Sequence, residues 1–228
     1  MLKLKARGTF FDIAFDDLLP IIRSKPVFLI LDRDGTLVPI CEHPTDAKLS
    51  LESSEIIHRT ARLLEGRMAI VSARSLANLE SEFDPNSIIL AGNYGMEIKG
   101  PADWQFLHPV ANQSQLEVDH AKLELTKLLK MHPELILDDH CFSLCLHTHK
   151  LPEVHHEKIN ALLSELKEKF FTLKFRRSAS SYEVLPLLEW KKSDALDKIA
   201  ENLRLNNQDL AYVAFGDADA DECSSPVC

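Results

Sequence analysis

At 228 residues, with 45% hydrophobic and 27% charged residues, the chain has an ordinary globular composition, and its length suits one large domain or two unequal ones. A formal net charge of −9 disfavours nucleic-acid binding, which needs basic patches to displace counterions, yet it leaves room for an anionic substrate held by a few donors and a cation. Five cysteines in odd number and without CxxC spacing argue against a zinc site and a disulfide framework, and no apolar run approaches the roughly 18 residues that cross a bilayer. Met1 to Phe11 lacks the apolar core and cleavage site of a signal peptide, so a cytoplasmic protein with no membrane or nucleic-acid partner is expected.

From Pro26 onward, strand and helix signals alternate. Val27–Leu31 reads as a strand buried on both faces, Ser53–Leu64 as an amphipathic helix, and Met68–Val71 as a second apolar strand ending at Ser72. A short helix over Leu76–Phe83 and a strand over Ile88–Ala91, ending at Gly92, follow. This alternation implies a parallel sheet with helices on both faces, and ligands bind such sheets beyond the carboxyl ends of their strands. Asp32, Ser72 and Gly92 all stand at that end.

Near Leu107 the rhythm changes. A helix over Gln115–Met131 is followed by strand-like Leu135–Leu137 and Cys141–His147, with Asp138-Asp139-His140 between them. A helix over Val154–Phe170 then leads to strands Phe171–Phe175 and Tyr182–Leu185. Helix–strand–strand, repeated twice, predicts a small antiparallel sheet covered by two helices, an α+β insert. The basic pair Arg176-Arg177 reads as a solvated strand end. Parallel rhythm returns with a helix over Ser193–Leu203 and a strand over Leu210–Phe215 that ends in Gly216-Asp217.

The chemistry concentrates at the strand ends. Asp32 and Asp34 lie two apart, so in an extended chain their carboxylates project the same way, and two such carboxylates repel unless a cation sits between them. A strand ending in an Asp-Gly turn is the plain structural alternative. Asp217, at the end of another apolar strand, tips the balance toward a site for a hard divalent cation, with Asp219, Asp221 and Glu222 adding acid to the same loop. Phosphoryl transfer also needs donors on the moving oxygens: the Ser72 hydroxyl and an ammonium from Lys191 or Lys192 are the candidates.

Asp-Arg-Asp-Gly-Thr, a serine at the next strand end, a lysine, then Gly-Asp with further acids resembles the four-motif order of the haloacid dehalogenase superfamily. More narrowly, the chain resembles the trehalose-6-phosphate phosphatase family over about residues 26–222. The supporting segments are Leu31–Ile40 (LDRDGTLVPI) with His43-Pro44, Ala69–Arg74 (AIVSAR), Ala91–Glu97 (AGNYGME), Phe142–His147 (FSLCLH), and Glu183–Pro186 (EVLP) ahead of Trp190-Lys191-Lys192. The resemblance implies an α/β fold, a Rossmann-like parallel-sheet core of residues 1–107 and 187–228, with an inserted α+β cap at 108–186 that closes over the sugar. It implies Asp32 as the nucleophile that forms an aspartyl-phosphate, and Asp34 as the acid/base. Ser72 and Lys192 would grip the phosphate; Arg74, Asp138, His140 and Glu183 would contact substrate. Mg²⁺ would be held by Asp32, Asp34 through its backbone carbonyl, Asp217 and Asp221. A monomer is expected, with a dimer as the alternative.

Departures from the family pattern cluster in sugar recognition. The family's Glu-x-Lys reads Asp138-Asp139-His140 and its His-x-Arg reads His147-Thr148-His149, so two permanent cations become histidines. Leu185 occupies a usually basic position, Tyr94 replaces a histidine, and Ser193 a glycine. Ala218 and Ala220 stand where the last motif has Asp and Thr, and the sequence ends at Asp-Glu-Cys-Ser-Ser-Pro-Val-Cys without the family's closing helix and strand. Hydrolysis of trehalose 6-phosphate is the expectation. A phosphatase for another sugar phosphate, and a catalytically impaired domain that binds a sugar phosphate or a partner, are the alternatives.

Overall fold

A computed structural model describes residues 3–6, 9–12, 15–177, 181–203 and 209–217. In chain order it contains β1 (Lys3–Ala6), β2 (Thr9–Asp12), α1 (Phe15–Ser24), β3 (Val27–Leu31), α2 (Leu51–Leu64), β4 (Met68–Val71), α3 (Leu76–Glu80) and β5 (Ile89–Gly92). These are followed by β6 (Glu97–Gly100), β7 (Trp104–Leu107), α4 (Pro109–Met131), β8 (Ile136–Asp139) and β9 (Leu144–His147). The last elements are α5 (Glu153–Lys169), β10 (Leu173–Arg177), β11 (Ser181–Pro186), α6 (Lys192–Leu203) and β12 (Ala211–Phe215).

Six strands form one sheet in the order β12-β3-β4-β5-β6-β7. The first four are parallel and β6 turns back antiparallel to β5. Alternation along β3 explains why its sequence is apolar throughout. Phe28 and Ile30 pack with Ala195, Leu196, Ile199 and Ala200 of α6 on one face, whereas Leu31 packs with Ile57 and Ala61 of α2 and Leu79 of α3 on the other. Met68 and Ile70 share the second cluster, Ala69 and Val71 the first. From β3 the order runs to β4 and β5 on one side and jumps to β12 on the other, which makes the carboxyl end between β3 and β12 a topological switch point.

The chain divides into two compact units, residues 1–106 with 190–228, and residues 107–189. In the second unit, four antiparallel strands in the order β10-β11-β9-β8 bury one face under α4 and α5. Val118, Ala121 and Leu125 of α4 meet Ile159 and Leu163 of α5 over Leu144, Leu146, Tyr182 and Val184 of the sheet.

Where elements differ from the sequence reading, end effects explain the difference. Helix α2 starts two residues early because the Ser50 hydroxyl accepts from the Ser53 amide, a cap that lies outside the amphipathic pattern. Helix α4 starts six residues early, at Pro109, with the His108 ring accepting from the Val110 amide. Asp138 and Asp139 belong to strand β8 rather than to a loop, and the turn sits at Cys141, whose φ is 72°. The β1–β2 hairpin, α1, β6 and β7 were not expected from sequence, although the α1 sequence is strongly amphipathic at the helical period.

Candidate active site at the carboxyl end of the parallel sheet

The Asp32 amide donates to the Phe215 carbonyl (2.9 Å), extending the β3–β12 ladder by one bond and fixing the backbone of the aspartate at the switch point. Its side chain is buried, and Lys192 donates from Nζ to Asp32 Oδ1 at 2.5 Å. Lys192 opens helix α6, and two contacts hold that start. The Asp194 carboxylate accepts from the Lys191 amide (2.6 Å), and the Trp190 indole donates to the Tyr94 carbonyl (3.0 Å). An ammonium on a buried carboxylate cancels the charge that would otherwise repel an approaching phosphate.

Ser72 ends β4 with its amide on the Ala91 carbonyl (2.9 Å) and its hydroxyl accepting from the Arg74 amide (3.2 Å). The loop that follows packs on bare glycine: a Cβ on Gly92 would stand 2.4 Å from the Leu76 nitrogen. Beyond it, Asn93, Tyr94 and Gly95 all have positive φ. That costly run is tied down by Glu97, whose Oε1 accepts from the Leu76 amide (2.6 Å) and from Asn93 Nδ2 (2.7 Å).

Asp34 is embedded in arginines. Arg74 donates from Nε to Oδ2 (2.8 Å) and from Nη2 to Oδ1 (2.9 Å), while Arg33 donates from Nη1 to Oδ1 (2.7 Å). Arg33 is buried and also forks onto Glu82, Nε to Oε2 at 2.7 Å and Nη2 to Oε1 at 2.6 Å, with a further bond to the Ala47 carbonyl (2.6 Å). Burial alone would lower the Arg33 pKa, but the hydrogen bond and charge of Glu82, together with Asp34, raise it above its ordinary value. Arg74, expected to contact substrate, spends its fork on Asp34 and donates to the Pro44 carbonyl (3.1 Å).

Asp217, just past β12, lies against the turn that follows Asp34. Gly35 there has a φ of 86°, and a Cβ on it would fall 2.0 Å from Asp217 Oδ2. Asp32 and Asp217 therefore stand at the carboxyl ends of the adjacent strands β3 and β12, and carboxylate oxygens are hard donors of the kind that Mg²⁺ takes and a soft metal does not. Asp221 lies outside the described residues. Replacing Gly35 by alanine is expected to destabilise the chain by about 1–2 kcal/mol, since an L residue is strained at that φ and its methyl displaces the Asp217 carboxylate. A lower urea midpoint is the readout, and an unchanged midpoint would show that the turn re-forms around a Cβ.

In the second unit, cross-strand register brings the other expected residues onto one face. Asp138 pairs with Cys145, Cys145 with Glu183, and Glu183 with Arg176, so these four form a row across β8, β9, β11 and β10. That face is opposite the one carrying Leu137, Leu146 and Tyr182. His140 Nε2 lies 3.1 Å from Asp138 Oδ2, and Arg176 donates from Nε to Glu183 Oε2 at 2.7 Å. Burial, reinforced by the Glu183 and Asp138 carboxylates against a hydrogen bond from Ser181, pushes the Cys145 thiol up to about 12, so it stays protonated and poorly nucleophilic.

Residues 30–224 match the trehalose-phosphatase family model. The chain belongs to the trehalose-phosphatase family. A probable trehalose-phosphate phosphatase I from Arabidopsis thaliana is 27% identical over 218 residues, covering 91% of this chain and 58% of the relative. The chain thus spans less than two thirds of the length of that relative. The C-terminal domain of a trehalose-6-phosphate phosphatase from C. albicans superposes with a TM-score of 0.71 at 19% identity, covering 97% of this chain and 78% of that one. A haloacid dehalogenase-like hydrolase from Bacteroides thetaiotaomicron superposes with a TM-score of 0.55 at 16% identity, covering 86% and 84%. The two likenesses show the fold.

Within this trehalose-phosphatase chain, the structure brings Asp32, Lys192 and the Ser72 strand end to one edge of the sheet, and Asp138, His140 and Glu183 to another surface in the second unit. Arg33, Glu82 and Glu97 were not singled out from sequence, although each supports that edge. The signal available was faint: a charged residue inside the most apolar motif, Asp-Arg-Asp, has to be buried with a partner, but sequence does not name the partner.

Proposed function

We propose that the chain is a Mg²⁺-dependent phosphatase that hydrolyses a sugar phosphate, trehalose 6-phosphate before others, through an aspartyl-phosphate on Asp32. The observation that carries this reading is the Lys192–Asp32 contact of 2.5 Å at the switch point of the sheet. A carboxylate oxygen of Asp32 attacks phosphorus, and the Asp32–phosphorus bond forms as the phosphorus–sugar oxygen bond breaks. Asp34, once out of its arginine fork, passes a proton to the departing sugar oxygen. Water then attacks phosphorus, Asp34 takes back a proton from it, and the Asp32–phosphorus bond breaks to release inorganic phosphate. Lys192 and Ser72 position the phosphoryl oxygens. Bound Mg²⁺, held by Asp32, the Asp34 carbonyl, Asp217 and Asp221, would neutralise phosphoryl charge.

Arg74 is better read as the residue that positions Asp34. Its fork holds both carboxylate oxygens, and Asp34 has to leave that fork before it can carry a proton to the sugar. We read residues 107–189 as the cap. Its row of Asp138 and Glu183 supports sugar recognition, because carboxylates accept hydrogen bonds from hydroxyl groups. The Asp138–His140 pair, where the family pattern has a lysine, supports the second reading, a different sugar phosphate.

The test is phosphate release from trehalose 6-phosphate and a panel of other sugar phosphates, with Mg²⁺ and after chelation. Release that requires Mg²⁺ and is fastest on trehalose 6-phosphate is expected. Faster release from another sugar phosphate transfers the assignment to that substrate, and no release from any of them overturns the phosphatase reading.

A further inference from the structure

A group of side chains in the second unit has the makings of a metal centre unrelated to the acidic crevice. His132 is the C-terminal cap of α4, Glu134 follows it before β8, and His155 lies in the first turn of α5. One ligand atom from each falls within 4.8 Å of the other two. His132 Nδ1 stands 3.3 Å from Glu134 Oε1, and the two imidazole rings meet edge to face with centroids 4.9 Å apart.

A hydrogen-bonded His–Glu pair with a second ring stacked on it is the simpler account, and it leaves one atom unexplained. His155 Nδ1 is buried and has no hydrogen-bond partner among the described residues. Burying an imidazole nitrogen with nothing to bond is unfavourable, and a metal ion is one partner that needs no proton.

We propose that His132, Glu134 and His155 bind a divalent transition metal of the Zn²⁺ class, with water completing a four-coordinate site. Two imidazoles and a carboxylate are the borderline donors that Zn²⁺ takes, whereas Mg²⁺ prefers oxygen alone. Tetrahedral bonds of about 2.0–2.1 Å place ligand atoms roughly 3.3 Å apart, the separation that His132 and Glu134 already have. The His155 donor has to move inward by at most about 1.5 Å, within reach of a side-chain rotation. The site would clip the end of α4 to the beginning of α5, the two helices that cover this sheet. Its role would be structural, since binding to the folded chain stabilises it.

The full chain, stripped of metal and kept in excess Mg²⁺ to occupy the oxygen-donor crevice, is titrated with Zn²⁺ by calorimetry and with Co²⁺ by visible absorption. One equivalent of Zn²⁺, an intense tetrahedral-type Co²⁺ spectrum and a higher melting temperature are expected. Both His155→Ala and Glu134→Gln should weaken Zn²⁺ by more than the about 10–100-fold that loss of a supporting partner costs. Glu134→Gln keeps the size of the side chain, so it tests the site even if His155→Ala folds poorly. The proposal is overturned if no Zn²⁺ binds in excess Mg²⁺, or if a correctly folded variant binds it as tightly as the parent.

Discussion

Asp32→Asn is expected to reduce steady-state phosphate release by about 10⁴-fold or more, the scale seen when an enzyme loses its nucleophile. The amide cannot form the acyl-phosphate, and it also leaves the Lys192 ammonium, only 12% exposed, without its carboxylate. A fall in stability is therefore expected alongside the loss of activity, and the assay has to be run well below the melting temperature of the variant. Asp32→Glu separates the two effects. It keeps the charge facing Lys192 but pushes the carboxylate forward by a methylene, and a misplacement of about 1 Å costs on the order of 100-fold. Parental rates in folded Asp32→Asn would sink the proposed mechanism, whereas parental rates in Asp32→Glu would show only that the crevice tolerates a longer side chain.

Arg33→Met is the largest expected effect on stability. The side chain is 1% exposed and its guanidinium serves Glu82, Asp34 and the Ala47 carbonyl together. Methionine fills similar volume but leaves a carbonyl and a carboxylate unpaired, a change that costs about 3–5 kcal/mol in buried networks. Glu82 and Asp34 remain 19% and 33% exposed, so water relieves part of the penalty and about 3 kcal/mol is the expected loss in chemical unfolding. Arg33,Glu82→Met,Leu should recover much of it, because the double change removes both charges. A single variant within 1 kcal/mol of the parent would mean that the network adds nothing beyond packing.

These two residues differ sharply in how readable they were. Asp32 announces itself: it terminates five consecutive apolar residues, and its partner carboxylate follows at the spacing that keeps both on one side of an extended chain. Arg33 sits between them and signals only that it needs a partner, because Glu82 is 49 positions away and is brought in only by the turn after α3. Arg74 shows the same limit from the other direction. Its motif suggests substrate contact and says nothing of the fork it closes on Asp34, 40 positions distant. The polar row of the second unit was half legible. Asp138 and Glu183 were singled out from the resemblance, yet their alignment through Cys145 rests on strand register, and the reading of Asp138 as a loop residue hid it.

The sequence by itself determined the layered architecture and the chemistry at its edge. Alternating residues of β3 and β4 must be apolar if helices cover both faces of a parallel sheet, so the strands and the acidic residues at their ends could be located without coordinates. The tertiary structure alone decided which charges close on Asp34: Arg74 from 40 positions away, and Arg33, itself held by Glu82. Such pairs depend on distances set when the sheet assembles, and electrostatic and hydrogen-bond energies change steeply over the few ångströms that a linear sequence does not record.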